Sequence, residues 1–165
     1  MEKIKQSPNY KKGFQNLSET PMMLKDSSYY ELIKKTLNKN PDVKPPSKLP
    51  SVKTDLKNIE TNKPVIVWFG HSSYFIKINN KNILVDPVFS GNASPVSFMV
   101  KAFEGSDVYT PDDFPEIDFL ILTHDHYDHL DYKTIKKLRI KVKEIYCSLG
   151  LPSHLIWWGF SENII

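Results

Sequence analysis

Phe119-Leu120-Ile121-Leu122-Thr123-His124-Asp125-His126-Tyr127-Asp128-His129 is the stretch that decides the fold. Four apolar residues bounded by polar ones suit a strand buried on both faces, and the polar cluster is the loop that follows it. Three of the five histidines in the chain fall in that loop, with carboxylates set between them. In layered α/β folds, loops at the carboxyl ends of buried strands are where active sites are built. His124 and His126 are two apart in extended chain, so their imidazoles point to one side and can ligate one ion. Asp128 and His129 follow as the chain turns, and can face a second ion. Imidazole and carboxylate suit Zn²⁺, with Mn²⁺ or Fe as alternatives. As an ordinary surface loop the cluster would be costly. Each neutral imidazole needs partners for both nitrogens, and charged ones repel.

Downstream, Asp131 can cap a helix running to about Arg139, with Tyr132, Ile135 and Leu138 on its inner side. Lys136, Lys137 and Arg139 favour the negative end of its dipole. Val142 to Cys147 returns as a strand, and Pro152 to Trp158 reads as a short helix with Gly159 as its C-cap. Upstream, Val65 to Phe69 is a β-branched and aromatic run ended by Gly70. Ser73 to Ile78, an Asn79-Asn80 turn and Ile83 to Asp86 follow as a hairpin meander. Residues 87–115 are broken by Gly91, Pro95, Gly105, Pro111 and Pro115, a long loop suited to an active-site rim. A meander followed by β-loop-α-β is the pattern of an α/β layered domain, assigned to residues 61–165.

Residues 1–60 read as an N-terminal extension rich in Lys, Asn, Ser and Pro. One helix is expected there, capped by Ser28 with Glu31 completing a capping box. Tyr29, Leu32, Ile33 and Leu37 share its apolar face, and Asn40-Pro41 stops it. The prolines from Pro41 to Pro50 then give an extended surface arm or a disordered linker.

Composition narrows the function. With 40% hydrophobic and 25% charged residues in 165, the chain is that of a globular protein with a normal core. The net charge of +3 is nearly all lysine, with Arg139 the only arginine, which argues against nucleic-acid binding. Cys147, the sole cysteine, excludes an intrachain disulfide and reads as a structural thiol in a reducing, cytoplasmic setting. No apolar run nears the ~18 residues of a membrane span, and Met1 to Lys5 lacks a signal-peptide core. His71 and His154 are lone histidines, His154 read as structural. Asp86, before Pro87, either forms a turn or orients a ligating histidine. Trp157-Trp158 reads as core packing.

At His124-Asp125-His126-Tyr127-Asp128-His129 the chain resembles the metallo-β-lactamase superfamily, whose signature is His-x-His-x-Asp-His after a buried strand. More narrowly it is similar to the branch containing N-acyl-phosphatidylethanolamine phospholipase D. The similarity lies in Trp68-Phe69-Gly70-His71, Asp86-Pro87-Val88-Phe89, Ser94-Pro95, the Tyr127-to-Asp131 run and Leu149-Gly150. The resemblance implies the N-terminal half of an αββα sandwich with a two-metal site at one edge. His124 and His126 would hold the first Zn²⁺ and Asp128 and His129 the second, with Asp86 and His71 supporting them. A hydroxide activated by the two metals would attack a phosphodiester or related ester, Asp128 being the catalytic group that orients it. Lactone, lactam and sugar-phosphate esters are the alternative substrates. Such proteins draw further His and Asp ligands from a second half, supplied in cis or trans, and an oligomer is one route to it. The alternative is a catalytically incompetent truncated fragment serving as a metal-binding or interaction module.

Overall fold

The computed structural model describes residues 2–21, 28–38, 44–60, 62–94 and 100–165. The chain falls into two compact units, Met1–Pro46 and Ser47–Ile165. The first contains helices α1 (Glu2–Lys5) and α2 (Tyr29–Leu37). Ser28 caps α2 as expected, its hydroxyl accepting the Glu31 N–H at 3.3 Å. The expected stop at Asn40-Pro41 lies outside the described residues.

The second unit is built on a five-stranded mixed sheet in sequential order: β1 (Val65–Gly70), β2 (Ser73–Ile78), β3 (Lys81–Val85), β4 (Ile117–Leu122) and β5 (Val142–Cys147). The first three strands form the antiparallel meander, and β3, β4 and β5 run parallel. Asn79 and Asn80 both take positive φ, 49° and 57°, the geometry that lets a two-residue turn follow the strand twist. Helix α3 (Tyr132–Leu138) connects β4 to β5, and α4 (Leu151–Trp157) follows β5. Gly159 ends α4 with φ of 93° and its N–H on the Ile156 carbonyl.

One face of the sheet is covered. Phe75, Leu84, Leu120, Leu122 and Ile145 share a core with Ile135 and Leu138 of α3 and Leu151 and Leu155 of α4. Leu56, from the irregular segment before β1, is buried in the same core. Phe89, Tyr109 and Phe114, from the described parts of the β3–β4 connection, close over it as a ring cluster. Phe69 meets Phe89, Tyr109 and Phe114 at centroid distances of 5.2, 4.7 and 5.5 Å.

The other face is open. The register aligns Ile66, Ile76, Ile83 and Phe119 across four strands, and Ile121 beside Tyr146. Ile66 and Trp68 are 68% and 69% exposed and Tyr146 56%. Burial of β4 on both faces was the expectation. Leu120 and Leu122 are buried but Phe119 and Ile121 only half so, because the described residues supply one helical layer. Strand β4 also begins two residues early, at Ile117. Asp118 fits inside it by accepting from the Asn82 N–H at 3.0 Å and from Lys81 and Lys143, each at 3.3 Å. The tryptophan pair divides: Trp158 packs against the core while Trp157 is 82% exposed. His154 is exposed rather than built into the core, its ring 6.0 Å from that of Trp158. Cys147 is half-buried and burial pushes its thiol up, as suits a packing residue.

Candidate metal centre

Three connections converge at one end of the sheet: the β1–β2 turn, the residue after β3 and the loop after β4. Gly70 (φ 107°) and His71 (φ 48°) make the first a tight reversal, stapled by the Trp68 indole N–H on the His71 carbonyl at 2.9 Å. After β3, Asp86 takes a φ of 40°, in the left-handed region that a non-glycine residue occupies at a cost. Its N–H pairs with the Ile121 carbonyl at 3.0 Å, and its side chain is 1% exposed. After β4, residues 126–130 turn sharply, the His126 carbonyl accepting from the N–H groups of His129 and Leu130.

The buried Asp86 carboxylate organises what surrounds it. Oδ1 accepts from the Thr123 N–H at 2.9 Å. Oδ2 accepts from the Thr123 hydroxyl at 2.6 Å and lies 2.8 Å from His129 Nδ1. Ser72 Oγ is 3.0 Å from the same ring nitrogen. A carboxylate on Nδ1 fixes the proton there and leaves Nε2 free to ligate a metal.

His71, Asp128 and His129 have ligand atoms all within 4.8 Å of one another. His71 Nε2 is 3.0 Å from Asp128 Oδ2, and the His71 and His129 rings are 5.0 Å apart. His124 stacks at 3.9 Å from His129 and 4.6 Å from His126, centroid to centroid. Asp128 and His129, two of the four expected ligands, thus join His71 in one group able to hold an ion, while His124 and His126 adjoin it through ring contacts. His71, read from sequence as a support, contributes a ligand atom to the tightest group. Burial raises the Asp128 carboxyl, but its own backbone N–H and His129, His71 and His126 outweigh that and hold it below the usual carboxylate range. An ionised carboxylate, imidazole nitrogens gathered beside it and an orienting carboxylate behind them fit a borderline divalent ion. Thr123 and Ser72 were not singled out from the sequence. The available signal was a hydroxyl adjoining each candidate ligand, His124 and His71.

The fold and the site together place the protein. Residues 81–165, more than half of the chain, match the family described as beta-lactamase superfamily domain, and the chain belongs to that family. An uncharacterized protein of Mycobacterium tuberculosis is 30% identical over 173 residues, covering 97% of this chain and 44% of its own length. N-acyl-phosphatidylethanolamine-hydrolyzing phospholipase D 1 of Caenorhabditis elegans is 34% identical over 76 residues, 43% of this chain and 20% of its own. A UPF0173 metal-dependent hydrolase of Saccharolobus solfataricus is 33% identical over 90 residues, 53% of this chain and 34% of its own. Among solved structures, CmlA, a diiron beta-hydroxylase from Streptomyces venezuelae, aligns at 28% identity with a TM-score of 0.47, over 62% of this chain and 20% of that one. The chain thus spans less than half the length of the curated relatives it matches. Among the described residues no helix is long and apolar enough to cross a membrane.

Proposed function

We propose that this chain is the metal-holding N-terminal half of a hydrolase acting on phosphodiester or related ester bonds. The observation that carries the reading is the group His71, Asp128 and His129, with the second nitrogen of His129 held by the buried Asp86. His124 and His126 hold one Zn²⁺-class ion in this reading, and Asp128 and His129 the other, with His71 beside them. Bound there, the ions supply water activation and charge stabilisation for hydrolysis. Asp128, ionised and half-exposed, orients the attacking water by accepting its proton in a hydrogen bond. The family, the metal-dependent hydrolase relative and the phospholipase D relative support this reaction class. The open sheet face and the relatives' greater length support a second half as the working partner, in cis or trans.

The test pairs metal titration with a substrate panel. Zn²⁺ and Mn²⁺ are titrated into this chain and into its Asp128→Ala and His129→Ala variants by calorimetry. Phosphodiester, lactone and lactam substrates are then offered to a chimera in which the chain replaces the aligned region of the Mycobacterium tuberculosis relative. Saturable binding that both variants weaken, with phosphodiester turnover in the chimera, is the expected result. Absence of binding at this cluster would end the reading, and lactone or lactam turnover alone would move the substrate class.

A further inference from the structure

One hydroxyl in the metal centre has a proton that can go only one way. Thr123 Oγ1 lies 2.6 Å from Asp86 Oδ2 and 2.9 Å from His124 Nδ1. The Thr123 hydroxyl donates to Asp86 Oδ2, so its single proton is committed there. The hydroxyl oxygen then has only lone pairs to offer His124, and Nδ1 of that imidazole must carry the hydrogen. This leaves His124 Nε2 unprotonated and directed away from Thr123. Asp86 Oδ2 meanwhile holds the Nδ1 hydrogen of His129 directly, at 2.8 Å.

We infer that Thr123 is a positioning residue that relays the Asp86 carboxylate to His124, so that one buried carboxylate sets the tautomer of two histidines at once. The backbone supports the assignment independently. Asp86 accepts a φ of 40° at a buried, non-glycine position, and the Thr123 N–H locks its other oxygen at 2.9 Å. Such strain persists where surrounding bonds over-determine it. Here they aim one carboxylate at Thr123 and His129 together. If His124 and His129 serve different ions, as in the proposed function on which the metal part of this inference rests, the relay couples the two sites. Loosening Thr123 then weakens the ion held by His124, whereas loosening Asp86 weakens both.

The test uses Thr123→Val, which keeps the side-chain shape, and Thr123→Ser, which keeps the hydroxyl. Histidine tautomers are read from ¹⁵N chemical shifts in the metal-free chain at a pH where the imidazoles are neutral. Zn²⁺ affinity is measured by titration on the same samples. The expected wild-type result is Nδ1–H at both His124 and His129. In Thr123→Val, His124 should become a mixture of tautomers while His129 stays Nδ1–H. Zn²⁺ affinity should fall by roughly 10- to 100-fold, as for other partners of ligating histidines, and Thr123→Ser should restore both readouts. An unchanged His124 tautomer in Thr123→Val overturns the relay, whatever happens to affinity. Wild-type protein that shows the expected tautomers but binds no Zn²⁺ overturns the metal reading and leaves the relay standing.

Discussion

Asp131 shows how one carboxylate can tie the site to the fold. Its Oδ1 accepts the Lys133 N–H at 3.1 Å and caps α3. Its Oδ2 accepts from Ser90 N–H at 2.9 Å, Phe89 N–H at 3.2 Å and the Thr134 hydroxyl at 2.6 Å. The segment leaving Asp86 is thereby pinned to the helix that follows the histidine loop. Asp131→Ala removes a buried acceptor and strands these donors, and should cost about 1–3 kcal/mol in urea unfolding. Asp131→Asn, which keeps one acceptor oxygen, should cost less. A second carboxylate, Asp118, sets a pH dependence. Burial raises it, but the Asn82 N–H and the Lys143 and Lys81 ammonium groups outweigh that and hold it below its ordinary value. A carboxyl depressed in the folded state adds stability above its unfolded pKa of about 3.9, and that contribution is lost as pH falls further, through the folded value. Wild-type stability should therefore drop on acidification through this range, and the drop should shrink in Asp118→Asn, measured by urea midpoints at successive pH values. The cap at Asp131 was legible because helix capping is local. Its hold on Ser90 was not, because that partner lies 41 residues away and nothing in the spacing announces it.

At the level of elements, the strands and helices of the second unit were legible from period and punctuation, whereas the course of residues 87–115 was not. Glycines and prolines mark where regular structure breaks, but not where the chain then goes. That is decided by Phe89, Tyr109 and Phe114 packing on Phe69, and by the segment before β1 lying alongside. Thr54 N–H donates to the Tyr109 hydroxyl at 2.7 Å, and Leu49 N–H to the Glu104 carbonyl at 2.9 Å. Gly105 permits this approach. It has a φ of 91°, and an added Cβ would collide with the Leu49 carbonyl oxygen, a backbone atom that cannot swing aside. Gly105→Ala should therefore be destabilising by more than the ~1 kcal/mol of conformational preference alone. Hydrogen exchange should localise the loss to residues 48–56 and 100–110, leaving β3–β5 protected. Uniform loss across the sheet would show that this contact stabilises the whole unit rather than its edge. The metal loop stands between these cases. The closeness of His124, His126, Asp128 and His129 was legible because their spacing is local, but the approach of His71 depends on β2 lying beside β3, a tertiary pairing.

The second unit, on the scale of its whole sheet, buries one face and leaves apolar residues exposed on the other. The covered face has a core drawn from α3, α4 and the long loop, while the opposite face carries Ile66, Trp68 and Tyr146 in the open. An exposed apolar sheet face of this kind is a candidate interaction surface. Phe119 to Leu122 reads as a strand buried on both faces, yet among the described residues only Leu120 and Leu122 are fully buried, because an apolar run does not say whether a second layer is supplied. Ile66 separates the alternatives, being 68% exposed here and, on the edge strand β1, aligned with Ile76 of β2. In the isolated chain, Ile66→Lys replaces an exposed side chain and should change stability by no more than about 0.5 kcal/mol. In the chimera with the Mycobacterium tuberculosis relative, the same lysine would be enclosed between two layers without a partner, costing several kcal/mol or forcing the halves apart. Thermal unfolding of the chain and the chimera, each with and without the substitution, reads the difference directly. A large loss confined to the chimera places the second layer on this face. Equal and small losses in both would mean that the face stays open in the longer protein, and that the second half attaches elsewhere.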